Sequence, residues 1–235
     1  MLRLICLCLL VLAAPAFGAD SPFTPRPLFA QAGPHAARGA VVWVPGTYGR
    51  DQPGRPDPPD LVGRFAGRGL DVFQFLRPRG NDPLAGGAET LAGGLTELRA
   101  RGYRWIVVAE HSRGAWIALT AMARRGSADA IVVVSVGAHG THPERQAQAR
   151  EDWAALWGSP RPGPTRVVLV QLSDDPYDTD PRWRLDLATA QAARAGLSLL
   201  PIFQPPEPRG HVGVYEPAFD EHLGPAIADF ADPGR

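Results

Sequence analysis

The fold is decided by the stretch Trp105-Ile-Val-Val-Ala-Glu-His-Ser-Arg-Gly-Ala-Trp-Ile-Ala-Leu119. Its first five residues are apolar and mostly β-branched or aromatic, which favours a buried strand. The residues from Ala115 onward have a helix-forming composition. Between these two segments, Glu110-His-Ser-Arg-Gly114 predicts an abrupt turn with Ser112 at its apex. This strand, turn and helix order is typical of a nucleophile elbow, which lifts a serine hydroxyl above a sheet.

The elbow pattern departs from its usual form at one position. A full motif has glycine two residues before the serine, whereas this sequence has Glu110. Gly114, two residues after the serine, is present and lets the helix begin close to the strand. A serine between a strand and a helix can also act only as a helix cap. The rest of the sequence therefore has to decide between a nucleophile and a cap.

The composition excludes several classes of partner. The chain has 235 residues, enough for one medium-sized domain with a full core. It carries 24 basic and 24 acidic residues, and this balance predicts neither a nucleic-acid partner nor a membrane-surface partner. Both cysteines, Cys6 and Cys8, lie near the amino terminus. The remainder of the chain therefore offers no disulfide, no cysteine nucleophile and no thiolate metal site.

Residues 1–19 have the order of a secretory signal peptide. Arg3 supplies a positive charge, an apolar run follows, and small residues up to Ala19 suit cleavage. The alternative is an uncleaved membrane anchor, although the apolar run is short for a membrane span. We therefore expect a secreted or periplasmic protein with no stable membrane insertion after cleavage, in which residues 20–235 form a single domain.

Strands and helices are predicted to alternate along this domain. Such alternation favours an α/β fold with a mostly parallel sheet and helices on both faces. Within the entry segment we expect at most a short edge strand near Leu28-Phe-Ala30. The six main strands are predicted to begin at Ala40, Leu70, Trp105, Ala130, Arg166 and Leu197.

Polar residues follow several of these strands. In parallel sheets the functional residues collect at the carboxyl ends of the strands. Pro45-Gly-Thr-Tyr-Gly49 follows the first strand, and Ser112 follows the third. An acidic loop with Asp174, Asp175, Asp178 and Asp180 follows the fifth strand, and His211 follows the last. A serine, an acid and a histidine thus occur in the order known from α/β-hydrolases.

On these residues the sequence resembles the α/β-hydrolase superfamily, in particular its small esterase-like and dienelactone-hydrolase-like members. The resemblance extends over about residues 40–230. It implies an α/β-hydrolase-like domain without a large lid and without a cofactor. It also implies a nucleophile, a base, an acid and two backbone donors for an oxyanion. The residues in these positions are Ser112 as nucleophile, His211 as base, Asp175 as acid with Asp178 as the alternative, and the oxyanion-hole residues Arg113 and Thr47 or Tyr48.

The remaining histidines and tryptophans have simpler interpretations. His139 and His142 lack the helical spacing and the third ligand of a metal site, so we expect no metal. His111 is expected to orient the turn or face solvent, because the side chains of adjacent residues diverge. Trp153 and Trp157 favour core packing over a wall above the site.

Two functions follow from the sequence. The first is an exported serine hydrolase that cleaves a small or medium ester through an acyl-enzyme. The second is a hydrolase-like fold that has lost catalysis and serves as a binding module. The second is motivated by Glu110 in place of glycine and by Pro45, where related proteins often have histidine.

Overall fold

A computed structural model gives the architecture of most of the chain. The predicted signal peptide, residues 1–19, lies outside the part that it describes. The described residues are 21–26, 28–47, 57–76, 83–125, 128–159 and 165–234.

Seven strands form one sheet within the described residues. Six of them are parallel and correspond to the six predicted strands, whereas the first is antiparallel. In space the order is β1-β3-β2-β4-β5-β6-β7. The strands are β1 (Phe23–Pro25), β2 (Gly39–Val44), β3 (Leu70–Phe75), β4 (Ile106–His111), β5 (Ala130–Val134), β6 (Arg166–Gln171) and β7 (Ser198–Phe203).

Helices cover both faces of this sheet, as a parallel sheet requires. Their residues fall into two apolar cores, one on each face. The first and last helices pack on one face and the other four on the opposite face, which confirms the predicted α/β architecture. The helices of the described residues are α1 (Asp60–Gly67), α2 (Leu84–Ala100), α3 (Arg113–Arg125), α4 (Gln146–Gly158), α5 (Pro181–Ala195) and α6 (Pro217–Ala231).

The edge strand lies elsewhere than predicted. The sequence placed it near Leu28-Phe-Ala30, but it is formed by β1, five residues earlier. Phe23 is buried and packs edge-on against Phe75 of β3, with ring centroids 6.1 Å apart. Leu28, in contrast, is 68% exposed. The prediction was wrong because a three-residue strand is fixed by one buried ring and carries no periodic pattern of its own.

The tryptophans of α4 belong to the core. Trp153 and Trp157 are buried, with ring centroids 5.7 Å apart, and Trp153 also packs edge-on against Trp116 of α3. The prediction of core packing is confirmed. Because α4 is anchored in this way, the described part of the connection between β5 and β6 forms no separate lid.

The strand order places a crevice at the middle of the sheet. From β2 the chain passes outward to β3 and then returns to β4 on the other side of β2. Neighbouring connections that leave in opposite directions open a gap at the carboxyl ends of the two strands, where ligands of such sheets bind. Pro45 and Ser112 follow β2 and β4 at this point.

Candidate active site

The turn after β4 has the backbone of a nucleophile elbow. Ser112 has a φ of +56°, in the left-handed region that non-glycine residues rarely adopt. Its amide donates to the carbonyl of Val134 at 3.1 Å, which ties the turn to β5. A Cβ on Gly114 would lie 2.3 Å from the carbonyl oxygen of Val44. Only glycine therefore allows α3 to begin so close to β2.

Ser112, His211 and Asp175 form a hydrogen-bonded triad. His211 Nε2 lies 2.8 Å from Ser112 Oγ, and His211 Nδ1 lies 2.9 and 3.0 Å from the two Asp175 carboxylate oxygens. An ionised carboxylate can only accept, so Nδ1 carries the proton and Nε2 accepts from the serine hydroxyl. The side chains of Asp175 and His211 are 1% and 14% exposed. The carboxylate is thus sealed from water, whereas the imidazole has an open edge.

Backbone contacts hold the acid and the histidine together. The amide of Tyr177 donates to Asp175 Oδ1 at 2.9 Å, which fixes the carboxylate in its loop. The amide of Gly210 donates to the carbonyl of Ser173 at 2.7 Å and joins the loop after β6 to the loop after β7. The orientation of the triad therefore depends on the loops after β6 and β7, which are hydrogen-bonded to each other close to Asp175 and His211.

Asp178, the alternative acid of the sequence analysis, points to different partners. Its carboxylate accepts from Gln171 Nε2 at 2.8 Å and lies 3.4 Å from Arg184 Nε. Burial raises the pKa of Asp178, although the charge of Arg184 and the hydrogen bond from Gln171 act in the opposite direction. Of the two candidate acids, Asp175 is the one that contacts His211.

The other two aspartates of the acidic loop bind surface arginines. Asp174 accepts from Arg209 at 3.1 Å, and both side chains are well exposed. Asp180 accepts from Arg150 at 2.7 Å, and this hydrogen bond lowers the pKa of Asp180. Exposed pairs of this kind contribute little to stability. Their contacts fix the outer part of the loop and lie outside the triad.

His111 links the elbow to the histidine loop. Its Nε2 lies 2.7 Å from the carbonyl oxygen of His211. Burial lowers the pKa of His111 to about 4, so the ring is neutral near pH 7. A neutral ring that contacts a carbonyl through Nε2 must carry its proton there and donate it. His111 therefore orients the main chain of His211.

Two of the three predicted oxyanion-hole residues, Thr47 and Arg113, lie within the described residues. A Cβ on Gly46 would lie 3.0 Å from Ser112 Cβ, so the loop after β2 packs directly on the elbow. Thr47 is the next residue of this loop. Arg113 is the first residue of α3, where amides point out of the helix. The structure thus brings the segments of Thr47 and Arg113 beside Ser112, whereas Tyr48 lies outside the described residues.

The two histidines after β5 have separate partners. His139 Nε2 lies 2.7 Å from Asp152 Oδ2, and its ring centroid is 4.9 Å from that of Trp116. His142 lies 3.8 Å from Glu144 on the surface. Among the described residues, no group of three or more His, Cys, Asp or Glu side chains could hold a metal ion.

Glu110 is accommodated inside the protein. It is fully buried at the end of β4, where it pairs with Val44 of β2 and Val133 of β5. Side chains alternate along a strand, so Glu110 shares its face with Ile106 and Val108, towards the core of α2 to α5. Glu110 in place of the usual glycine therefore does not prevent Ser112 from adopting the positive φ of the elbow.

Two residues beside the triad were missed by the sequence analysis. The ring of Tyr177 lies 4.2 Å from that of His211, centroid to centroid. The carbonyl of Gly137 lies 3.3 Å from Ser112 Oγ, and a Cβ on this glycine would lie 3.0 Å from His211 Cε1. Tyr177 lies between Asp175 and Asp178 in the acidic loop, so its place beside the acid could have been predicted. Gly137 contributes a backbone oxygen, for which the sequence has no signal.

Comparison with known proteins gives a fold and no close relative. No protein-family model matches the sequence, and no curated protein matches it either. Among the described residues no helix is long and apolar enough to cross a membrane. Solved structures, in contrast, match over most of the chain.

Three of these structures represent the matches. Esterase 2 of Thermogutta terrifontis is 21% identical, with a TM-score of 0.59, and the match covers 87% of this chain and 85% of that one. The Pyrococcus furiosus esterase is 13% identical, with a TM-score of 0.57 and coverage of 84% and 83%. The phospholipase/carboxylesterase of Dyadobacter fermentans is 14% identical, with a TM-score of 0.52 and coverage of 85% and 93%. With the strand order and the elbow after β4, these likenesses show that the chain has the α/β-hydrolase fold.

Proposed function

We propose that the protein is a serine hydrolase that cleaves a small or medium ester through an acyl-enzyme. The observation that carries this proposal is the pair of short contacts at His211, 2.8 Å to Ser112 Oγ and 2.9 Å to Asp175. A structural serine cap needs neither contact. The structural relatives that are named esterases support the same reaction class.

In the proposed acylation step, Ser112 Oγ attacks the ester carbonyl carbon while His211 Nε2 takes the hydroxyl proton. The carbonyl oxygen becomes an oxyanion, and in this proposal the backbone amides of Arg113 and of Thr47 or Tyr48 donate to it. One such donor contributes about 3 kcal/mol to transition-state stabilisation. The protonated imidazole then returns its proton to the leaving alcohol, and an acyl-serine remains.

In deacylation a water molecule takes the place of the alcohol. His211 removes a proton from this water, which attacks the acyl carbon and forms a second oxyanion. Collapse of that intermediate returns the proton from His211 to Ser112 Oγ and releases the carboxylic acid. Throughout both steps Asp175 stays ionised, holds the Nδ1 tautomer and stabilises the imidazolium.

Hydrolysis of p-nitrophenyl butyrate tests this proposal. We expect the wild-type protein to turn over the ester and Ser112→Ala to lose nearly all of its kcat. Ser135→Ala is a matched control, since Ser135 is also buried at a strand end with a φ of +49°. Equal activity in Ser112→Ala and wild type refutes the proposal. A folded wild type that hydrolyses no ester in a panel of acyl lengths favours the binding module instead.

We also propose that the chain is exported and loses its first nineteen residues. The support is the charged, apolar and small-residue order of that segment. Amino-terminal sequencing of the protein released by the producing cells is expected to begin at Asp20. A membrane-bound product that retains Met1 would contradict this proposal.

A further inference from the structure

We propose that Arg184 is a positioning residue that aligns the triad by tying the loop after β6 to the loop after β5; this inference rests on the proposed function. Arg184 lies in the first turns of α5 and is only 3% exposed. A buried arginine needs a hydrogen-bonded partner for its charge. The partners of this one lie in the two loops that bring Asp175 and Gly137 to the site.

The first contact is to the loop after β5. Arg184 Nη1 donates to the carbonyl oxygen of Val136 at 3.1 Å. The next residue, Gly137, places its carbonyl 3.3 Å from Ser112 Oγ and leaves room for the His211 ring. A displacement of Val136 would therefore reach both the nucleophile and the base.

The second contact is to the loop after β6. Arg184 Nε lies 3.4 Å from Asp178 Oδ1, and the Asp178 side chain is buried as well. The amide of Asp178 donates to the carbonyl of Asp175 at 3.2 Å and closes a tight turn around the acid. Gln171 Nε2 donates to the other Asp178 oxygen at 2.8 Å and anchors the pair to β6. Arg184 therefore constrains Asp178, and Asp178 constrains the turn that holds Asp175 against His211.

The contacts require a guanidinium group. Its nitrogens lie in one rigid plane, so Nη1 donates to Val136 while Nε faces the Asp178 carboxylate as an ion pair. A single side chain can therefore hold two loops at a set distance. The group also lies over the ring of Trp153, 5.6 Å from its centroid, and the Arg184 carbonyl accepts from Trp153 Nε1 at 3.1 Å. Trp153 therefore holds Arg184 in place from the core, and Arg184 in turn constrains the loops after β5 and β6.

A purely structural ion pair makes a different prediction from a positioning residue. Replacing a buried ion pair by apolar side chains of similar size often leaves stability unchanged, whereas removing one partner is strongly destabilising. The double variant Asp178→Leu/Arg184→Met can therefore regain the stability lost in Arg184→Met. It cannot regain the hydrogen bond to Val136 or the tie between the loops.

The experiment measures ester hydrolysis and the free energy of unfolding for these two variants. We expect kcat to fall about 100-fold in Arg184→Met with KM unchanged, the effect of a catalytic group displaced by about 1 Å. In the double variant we expect the stability to return and kcat to stay low. Arg182→Met is the matched control, since Arg182 is on the same helix with a 72% exposed side chain. It should behave as wild type.

A second readout separates this inference from the proposed function. The proton on His211 Nδ1 that is bonded to Asp175 should give a low-field NMR resonance in wild type and Arg182→Met, and none in either Arg184 variant. If kcat and this resonance both return in the double variant, or if Arg184→Met keeps wild-type kcat, the inference is overturned. If wild type lacks ester hydrolysis, and the resonance is present in wild type and Arg182→Met but lost in both Arg184 variants, the proposed function fails while the positioning role stands.

Discussion

Acidification should destabilise this protein through His111. The unfolded chain gives this histidine its ordinary pKa of 6.5, whereas burial in the folded protein lowers the pKa to about 4. Between these values the unfolded state binds a proton that the folded state excludes. The contribution of a neutral His111 to stability is therefore present above pH 6.5 and is lost progressively as the pH falls towards 4.

The size of the loss follows from the two pKa values. Each difference of one in pKa corresponds to about 1.4 kcal/mol, so the full loss below pH 4 is about 3 kcal/mol. Between about pH 7.5 and pH 5 the same linkage gives a loss of about 2 kcal/mol. This is a large fraction of the stability of an ordinary domain, which is about 5–15 kcal/mol.

Urea unfolding at these two pH values measures the effect in wild type and His111→Gln. Glutamine keeps an N–H donor for the His211 carbonyl but does not titrate. Other groups titrate in both proteins, so the difference between the two pH-dependent losses isolates His111. We expect wild type to lose about 2 kcal/mol more than the variant. Equal losses in the two proteins would refute the argument that His111 is buried in its neutral form.

Three further substitutions test separate parts of the structure. Gly114→Ala should lower the free energy of unfolding by about 1–3 kcal/mol, because its methyl group would meet a backbone oxygen; an unchanged urea midpoint contradicts the close approach. Asp175→Asn should lower kcat on the order of 10³- to 10⁴-fold by favouring the wrong histidine tautomer, and Asp178→Asn should lower it much less. Equal losses would remove the distinction between the two acids. Tyr103→Phe removes a 2.6 Å hydrogen bond to buried Asp71 and should cost about 1.5–3 kcal/mol without changing kcat; a loss of kcat at full stability would contradict this.

The main elements of the fold were predictable because their signals are local. Five buried strands, from β2 to β6, are rich in apolar residues in the sequence, and the helices between them fix the parallel direction. The order of the strands in space has no local signal, since it depends on which faces pack together. The edge strand was misplaced for a related reason: Phe23 is held by Phe75, more than fifty residues away.

The part of the site that could be predicted is the set of residues that follow the carboxyl ends of the strands. Ser112 follows β4 directly and His211 lies in the loop after β7, so the topology brings their segments to one edge of the sheet. Asp175 and Asp178 are three residues apart in one loop, and the spacing could not choose between them. In the structure Asp175 contacts His211, whereas Asp178 pairs with Arg184 of the following helix. Such side-chain contacts are set by tertiary packing and leave no pattern in the loop itself.

The central claim is that Ser112 is a nucleophile activated by His211. Its most direct test is the mass of the intact protein after treatment with a fluorophosphonate, followed by mapping of the modified peptide. We predict one adduct per molecule on Ser112, with no adduct in Ser112→Ala and slower labelling in His211→Ala. An adduct that persists in Ser112→Ala, or a folded wild type that takes up no label, would contradict the claim.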